Sequence, residues 1–235
     1  MKVEVKWMNI QQVTMYASNF EATKQFYLTH LAFPHTSSDE NSFTIQVGQT
    51  TVTFHKALED KTPFYHFAFN VPSNQFEEAK AWVKSKVTLS TEEGEDEVYF
   101  EFIDAKSIYF EDPAGNIVEF ICRLSDATKS DKPFSATSLQ KMSEMSLAVR
   151  NKLEVVTLLH DVGIFKRNDE EITPTGLTFM GDRADATYLL LVNEGRTWYF
   201  STKEAVSYPL SITLTNGAII SIDDNRQLHC TTKVQ

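Results

Sequence analysis

Alternating apolar and polar positions recur three times along the chain, each time just ahead of a helix start. Gln12-Val-Thr-Met-Tyr-Ala, His66-Phe-Ala-Phe-Asn-Val and Glu144-Met-Ser-Leu-Ala-Val each open on a polar residue and then alternate, the period of a strand with one buried face. Asn19, the pair Ser73 and Asn74, and Asn151 follow them. Their side chains are suited to accept orphan amide protons in the first turn of a helix. Apolar runs then return at strand length: 42–47 and 50–55 after the first helix, 98–104, 107–111 and 117–122 after the second, 176–180 and 187–192 after the third. Gly48-Gln49 and Asp112-Pro-Ala-Gly-Asn116 supply turn chemistry between them. The chain therefore reads as three βαβββ-like units. A further hairpin, 210–215 and 218–222, closes on Asn216-Gly217, whose residues tolerate positive φ.

The polar stretch Ser125-Asp-Ala-Thr-Lys-Ser-Asp-Lys-Pro133 separates units two and three. The expected division is a two-unit domain over 1–124, a linker over 125–139 and a single-unit domain with its hairpin over 140–235. The fold class expected is α+β, with paired units forming a curved mixed sheet cup. A lone third unit leaves a sheet edge and an apolar face wanting a partner. It either docks on the first domain or pairs with the same unit of a second chain, and the homodimer is the expectation.

Composition narrows the function. The 235 residues carry a formal charge of −10, which argues against nucleic acid or anionic membrane as partner. The longest purely apolar run, Leu189 to Val192, is strand-sized. The first seven residues lack the apolar core of a signal peptide, and two cysteines make no disulfide framework. A cytoplasmic protein with a small-molecule substrate or ligand is the expectation.

One position stands out. Glu119 sits between Val118 and Phe120 in a strand otherwise apolar, and burying an ionised carboxylate costs several kcal/mol unless a cation or hydrogen bonds compensate, roughly the range met for ions in real proteins. The segments QVTMYASNFEATKQFYLTHLAF (12–33) and SIYFEDPAGNIVEFICR (107–123) resemble the vicinal oxygen chelate superfamily of glyoxalases, extradiol dioxygenases and bleomycin- or fosfomycin-resistance proteins. EMSLAVRNKLEVVTLLHDVGIF (144–165) resembles one further module of it. The resemblance implies a divalent metal (Zn, Mn, Fe, Co or Ni) held by first-strand and last-strand residues. Carried over by position, the ligands are Gln12, His66 and Glu119, with Thr53 where a fourth would stand. Imidazole, amide and carboxylate donors suit such ions. Tyr109, ten residues before Glu119, matches the dioxygenase branch and joins Glu119 as a candidate catalytic residue.

His55 shares a strand face with Thr53 and is read as a rim or supporting residue. Cys122 is read as core and Glu144 as structural or solvent-facing. Two functions follow from the resemblance: a metal-dependent enzyme on a small oxygenated molecule, glyoxalase-like or ring-cleaving, or a non-catalytic binding protein of the antibiotic-sequestering type.

Overall fold

The computed structural model describes residues 8–126, 128–167, 172–173, 175–182, 184 and 186–232. The seven N-terminal residues and Ala127 of the polar stretch lie outside them. Two mixed seven-stranded sheets carry the structure.

The second sheet holds units two and three. Unit two contributes β5 (His66–Val71), α2 (Phe76–Lys84), β6 (Val98–Phe100), β7 (Ala105–Glu111) and β8 (Ile117–Arg123). Unit three contributes β9 (Met142–Val149), α3 (Lys152–Asp161), β10 (Thr178–Met180) and β11 (Tyr188–Asn193). Strand order is β10-β11-β9-β5-β8-β7-β6. β8 runs parallel to β5 and β11 parallel to β9, while β5 and β9 meet antiparallel at the centre. The two units thus repeat one pairing scheme about the β5–β9 seam.

The first sheet holds unit one: β1 (Ile10–Ala17), α1 (Phe20–Gln25, prolonged by a π turn over Phe26–His30), β2 (His35–Ser38), β3 (Ser42–Val47) and β4 (Thr50–Lys56). Its other half is β12 (Leu210–Leu214), β13 (Ala218–Ile222) and β14 (Leu228–Thr232), in the order β14-β13-β12-β1-β4-β3-β2. β12 pairs antiparallel with β1 as β9 does with β5. The terminal strands therefore occupy the place of a fourth unit, without its helix.

This pairing differs from the expected one. Units one and two do not share a sheet, and both sheets cross the division near 125–139 through the β5–β9 and β1–β12 ladders. Unit three finds its sheet partner within the chain. The cause is edge satisfaction: β5 and β1 each offer one free edge beyond the parallel neighbour of their own unit, and the later strands cover it. The polar stretch is tied to the start of α2, where the Ser73 amide donates to Thr128 O (3.0 Å) and the Gln75 side chain to Lys132 O (2.6 Å).

Alternation sorts the second sheet into two faces. Phe67, Phe69, Val118, Phe120, Cys122, Met145, Leu147, Leu189 and Leu191 belong to the main apolar core, which also takes in Val155, Val156 and Leu159 of α3 and the buried residues of unit one. Cys122 is core, as its register required. The opposite face carries His66, Glu119 and Glu144. Of the expected caps, only Asn151 accepts a first-turn amide, from Glu154 (3.4 Å). Asn19 is left-handed and donates to Pro113 O (3.3 Å), and Asn74 is spent on Ser130. Among the described residues no helix is long and apolar enough to cross a membrane.

Unit one meets the segment leading into β9 at Gly48, whose φ is +51° and whose missing Cβ would lie 1.8 Å from Gln140 O. Gly48→Ala should therefore cost about 2–5 kcal/mol, because overpacking adds to the strain of a left-handed residue. Gly217→Ala, also at positive φ but facing open space, should cost only the ~1–2 kcal/mol of a left-handed residue. Urea titration of both variants checks this. An equal or smaller loss at Gly48 would mean that the segment does not rest on that turn.

Candidate metal centre and cavity

A single row of residues crosses the second sheet. Register pairs Tyr109 with Glu119, Glu119 with Ala68, Ala68 with Glu144, and Glu144 with Tyr188. Two carboxylates thus stand on either side of one alanine, with a tyrosine outside each. The methyl of Ala68 leaves the space between them open. His66 lies two residues along β5, hence on the same face. Its Nε2 is 3.5 Å from Glu119 Oε2, and its Nδ1 meets Ile117 O at 3.1 Å. One donor atom from each of His66, Glu119 and Glu144 lies within 4.8 Å of the others.

All three are buried. Burial holds the His66 imidazole down at about 4, so it is neutral at physiological pH and a ready nitrogen donor. Burial also raises both carboxylates, and the charge of Glu144 raises Glu119 further. Arg123, 6% exposed at the end of β8, offsets part of this with a 2.5 Å bond from Nη2 to Glu144 Oε1. The Tyr109 hydroxyl faces Glu119, and burial next to that carboxylate pushes its own pKa well up.

Donors about 2.1 Å from a common ion are at most about 4.2 Å apart. The His66–Glu119 pair already meets that limit, and Glu144 needs a shift of under about 1 Å. One nitrogen and two carboxyl donors, which a cation would favour in their ionised form, fit a divalent ion. The repeat also defines a fourth position. Glu119 pairs with the residue two beyond His66; the residue two beyond Glu144 is Ser146, and it pairs with Leu190. Three donors and one leucine leave part of the coordination sphere open.

Above this floor is a cavity of about 290 Å³ lined by aromatic side chains, Phe100, Phe102, Phe179, Trp198 and Tyr199 among them, with Arg196 as a cation. Trp198 and Phe200 come from the excursion between β11 and β12. That segment is pinned to unit two by Phe200 N donating to Glu92 (2.7 Å) and Lys203 Nζ donating to Glu111 (2.7 Å). The Trp198 ring sits 4.9 Å from His66, and Phe200 stacks on Tyr109 at 4.8 Å.

The expected site is thus brought together in part. His66, Glu119 and Tyr109 converge. Gln12 does not join them: it is exposed on β1 of the other sheet, opposite Thr51 and Thr213. The reason is the pairing of units, which sets the head of β9, not of β1, beside β5. Glu144 takes the place expected of Gln12: it is buried in the cluster and paired with Arg123, so it does not face solvent. Thr53 bonds Thr44 (3.0 Å) and His55 lies beside Tyr16 (5.9 Å), both on the first sheet. Glu144 was detectable in the sequence, since it heads the repeated strand as His66 does. Arg123, Trp198 and Arg196 carried no such mark.

Comparison with known proteins agrees with this architecture. A protein of Bacillus subtilis assigned to the dioxygenases superposes over 97% of this chain and 85% of its own, with TM-score 0.59 at 14% identity. This chain has the vicinal oxygen chelate fold. Glyoxalase I from Zea mays follows over 96% and 92%, TM-score 0.55 at 12% identity. An integron cassette protein from the Halifax Harbour sewage outfall metagenome is 26% identical over 48% of this chain and 97% of its own, TM-score 0.43. The family model of toxoflavin-degrading enzymes matches residues 142–196, the stretch holding Glu144, Leu190 and Arg196. No curated relative matches the chain in sequence.

Arg123→Met should cost the metal-free protein about 3–5 kcal/mol at pH 8, because two buried carboxylates then lack a cation. Both have folded pKa values above their unfolded ones, so protonation stabilises the fold and the loss should shrink as pH falls toward 5. Adding Glu144→Gln should recover part of it. Denaturant titrations at both pH values decide; a pH-independent loss would remove the ion pair from the account.

Proposed function

We propose that the protein is a divalent-metal-dependent enzyme acting on a small, flat, oxygenated molecule bound between units two and three. The observation that carries this is the convergence of His66, Glu119 and Glu144 under an aromatic-walled cavity. His66, Glu119 and Glu144 would hold the ion. When bound, it supplies Lewis acidity toward a substrate oxygen and favours that oxygen's anionic form.

The chain's own residues do the rest. Trp198, Phe179 and Phe100 clamp a flat ring and exclude water from the floor. Arg196 offers a guanidinium to an oxygen at the mouth. Tyr109, beside Glu119 and held protonated by burial, is the group placed to give a proton to, or hold a hydrogen bond with, an oxygen resting on the floor. Leu190 at the fourth position means that no extra carboxylate stands by as a base, which favours ring opening or oxidative degradation over a glyoxalase-type isomerisation. The match of unit three to toxoflavin-degrading enzymes supports the same direction.

A second reading rests on Arg123. Its bond to Glu144 already supplies one positive charge, so a metal-free cup that only binds its ligand is the competing function.

Metal analysis separates the two. Wild type should retain a divalent ion. His66→Ala, Glu119→Gln and Glu144→Gln should each weaken it by more than the roughly 10–100-fold typical of outer-shell changes, while Gln12→Ala should leave it unchanged. Turnover of catechol substrates should be lost on chelation and restored by Mn²⁺ or Fe²⁺, with hemithioacetals turned over poorly. Equal metal content in all five proteins, or turnover that survives complete chelation, would overturn the enzyme reading in favour of the binder.

A further inference from the structure

A second cavity, of about 310 Å³, lies beside the first and shares Ile103 with it. Arg123, Arg167, Tyr188, Asp104 and Asp126 line it. The Tyr188 ring lies 5.3 Å from the Arg123 guanidinium and 5.7 Å from that of Arg167, so one aromatic ring holds both cations in place.

Hydrogen-bond accounting gives the cavity a polarity. Arg123 spends Nη2 on Glu144, and Arg167 spends Nη2 on Phe102 O at 3.2 Å. Arg123 Nε and the Nε and Nη1 of Arg167 are buried and have no acceptor among the described residues. The two carboxylates hold only neutral donors and keep their charge, so an anion has to sit on the arginine side of the cavity. Asp104 accepts from the Tyr99 hydroxyl (2.9 Å) and from the Ser125 hydroxyl, and Asp126 accepts from Thr128 N (2.8 Å). What is left over is donor capacity, carried by two guanidinium groups whose planar forks match oxyanions.

We propose that this cavity binds an oxyanion, a carboxylate or a phosphate-type group, between Arg123 and Arg167. The proposal goes beyond the metal reading and needs no metal. It has a consequence for it, because Arg123 is the guanidinium that holds Glu144. An oxyanion that shares Arg123 loosens that hold and leaves Glu144 more available to a cation, so the two sites bind cooperatively, and by linkage each raises the other's affinity equally.

Sulfate serves as the probe on chelator-treated full-length protein, with chloride at equal ionic strength as control. Calorimetry should show saturable sulfate binding, weakened at least ~10-fold in Arg167→Gln, the loss of one charged contact. Because the Arg167 guanidinium also acts electrostatically on Glu144, the sulfate affinity of Arg167→Gln is read on chelator-treated protein and not from its metal content. Saturating sulfate should then tighten Mn²⁺ binding by roughly 5-fold or more, within the range usual for coupled sites. Sulfate that excludes 3,4-dihydroxybenzoate but not catechol identifies the oxyanion as the substrate's own carboxylate; sulfate that excludes neither identifies a free anion. No saturable binding, or equal binding by Arg167→Gln (an adventitious ion only), overturns the site whatever the metal result. Sulfate binding without any Mn²⁺ binding leaves the oxyanion site standing and overturns the metal reading. Unchanged Mn²⁺ affinity overturns the coupling.

Discussion

Two carboxylates buried side by side in the middle of a sheet are the constraint on which the rest depends. Glu119 and Glu144 flank Ala68 in one cross-strand row, and neither can stay ionised there without positive charge close by. The fold meets this demand incompletely: Arg123 supplies one cation, bound to Glu144, and His66 is held neutral by the same burial that raises the acids. A sheet interior built only for stability would carry apolar residues at these positions, since replacing buried ion pairs by hydrophobes is often neutral or better. Two buried acids, one paired with arginine and the other pushed up to about 8 by burial and its neighbour, are therefore an argument about chemistry rather than packing.

The geometry of that charge comes from duplication. Each unit places the head of its first strand and the middle of its parallel partner on one face, so two units meeting antiparallel bring four such positions to one floor. Here three are polar donors and one is Leu190. In the first sheet the same positions hold Gln12 and Thr53, with half the partner unit reduced to three strands. One cup thus has donors on its floor, while the sheet of the other packs the core through its opposite face, with Val13, Met15, Val52 and Phe54. The excursion between β11 and β12 connects the two, carrying Trp198 and Phe200 back over His66 and Tyr109 before the chain enters the first sheet.

Much of this was legible in the residues, and the gaps have physical causes. The three repeated strands, the Asn216-Gly217 turn, the core position of Cys122 and the apolar setting of Glu119 follow from local periodicity and turn chemistry. His66 and Glu119 lie within one unit, joined by a parallel ladder that the repeat itself implies, and their proximity was readable for that reason. Gln12 and Glu144 depend on which units share a sheet, a choice between free edges that local pattern does not encode. The helix caps failed similarly: Asn19 and Asn74 have the right chemistry, but tertiary partners at Pro113 and Ser130 took their side chains. The strand Leu228–Thr232, at the sheet edge, alternates over only two apolar positions, Leu228 and Cys230, too short a pattern to reveal it.

Arg123 ties these threads together. It sits at the end of the strand that carries Glu119, bonds the carboxylate of the neighbouring unit, and lines a second cavity, its buried Nε without an acceptor among the described residues. In that position it stabilises the apo cup by opposing the charge of Glu144, and by the same interaction it competes with any cation that needs Glu144 as a donor. The more firmly it holds Glu144, the better the empty fold tolerates its buried acids and the less avidly the cluster takes up an ion. A guanidinium cannot shed its proton to escape this conflict, so relief has to come from a competing anion or from movement of the side chain. The Nε of Arg123 and the Nε and Nη1 of Arg167, which have no acceptor among the described residues, are where such an anion would be met.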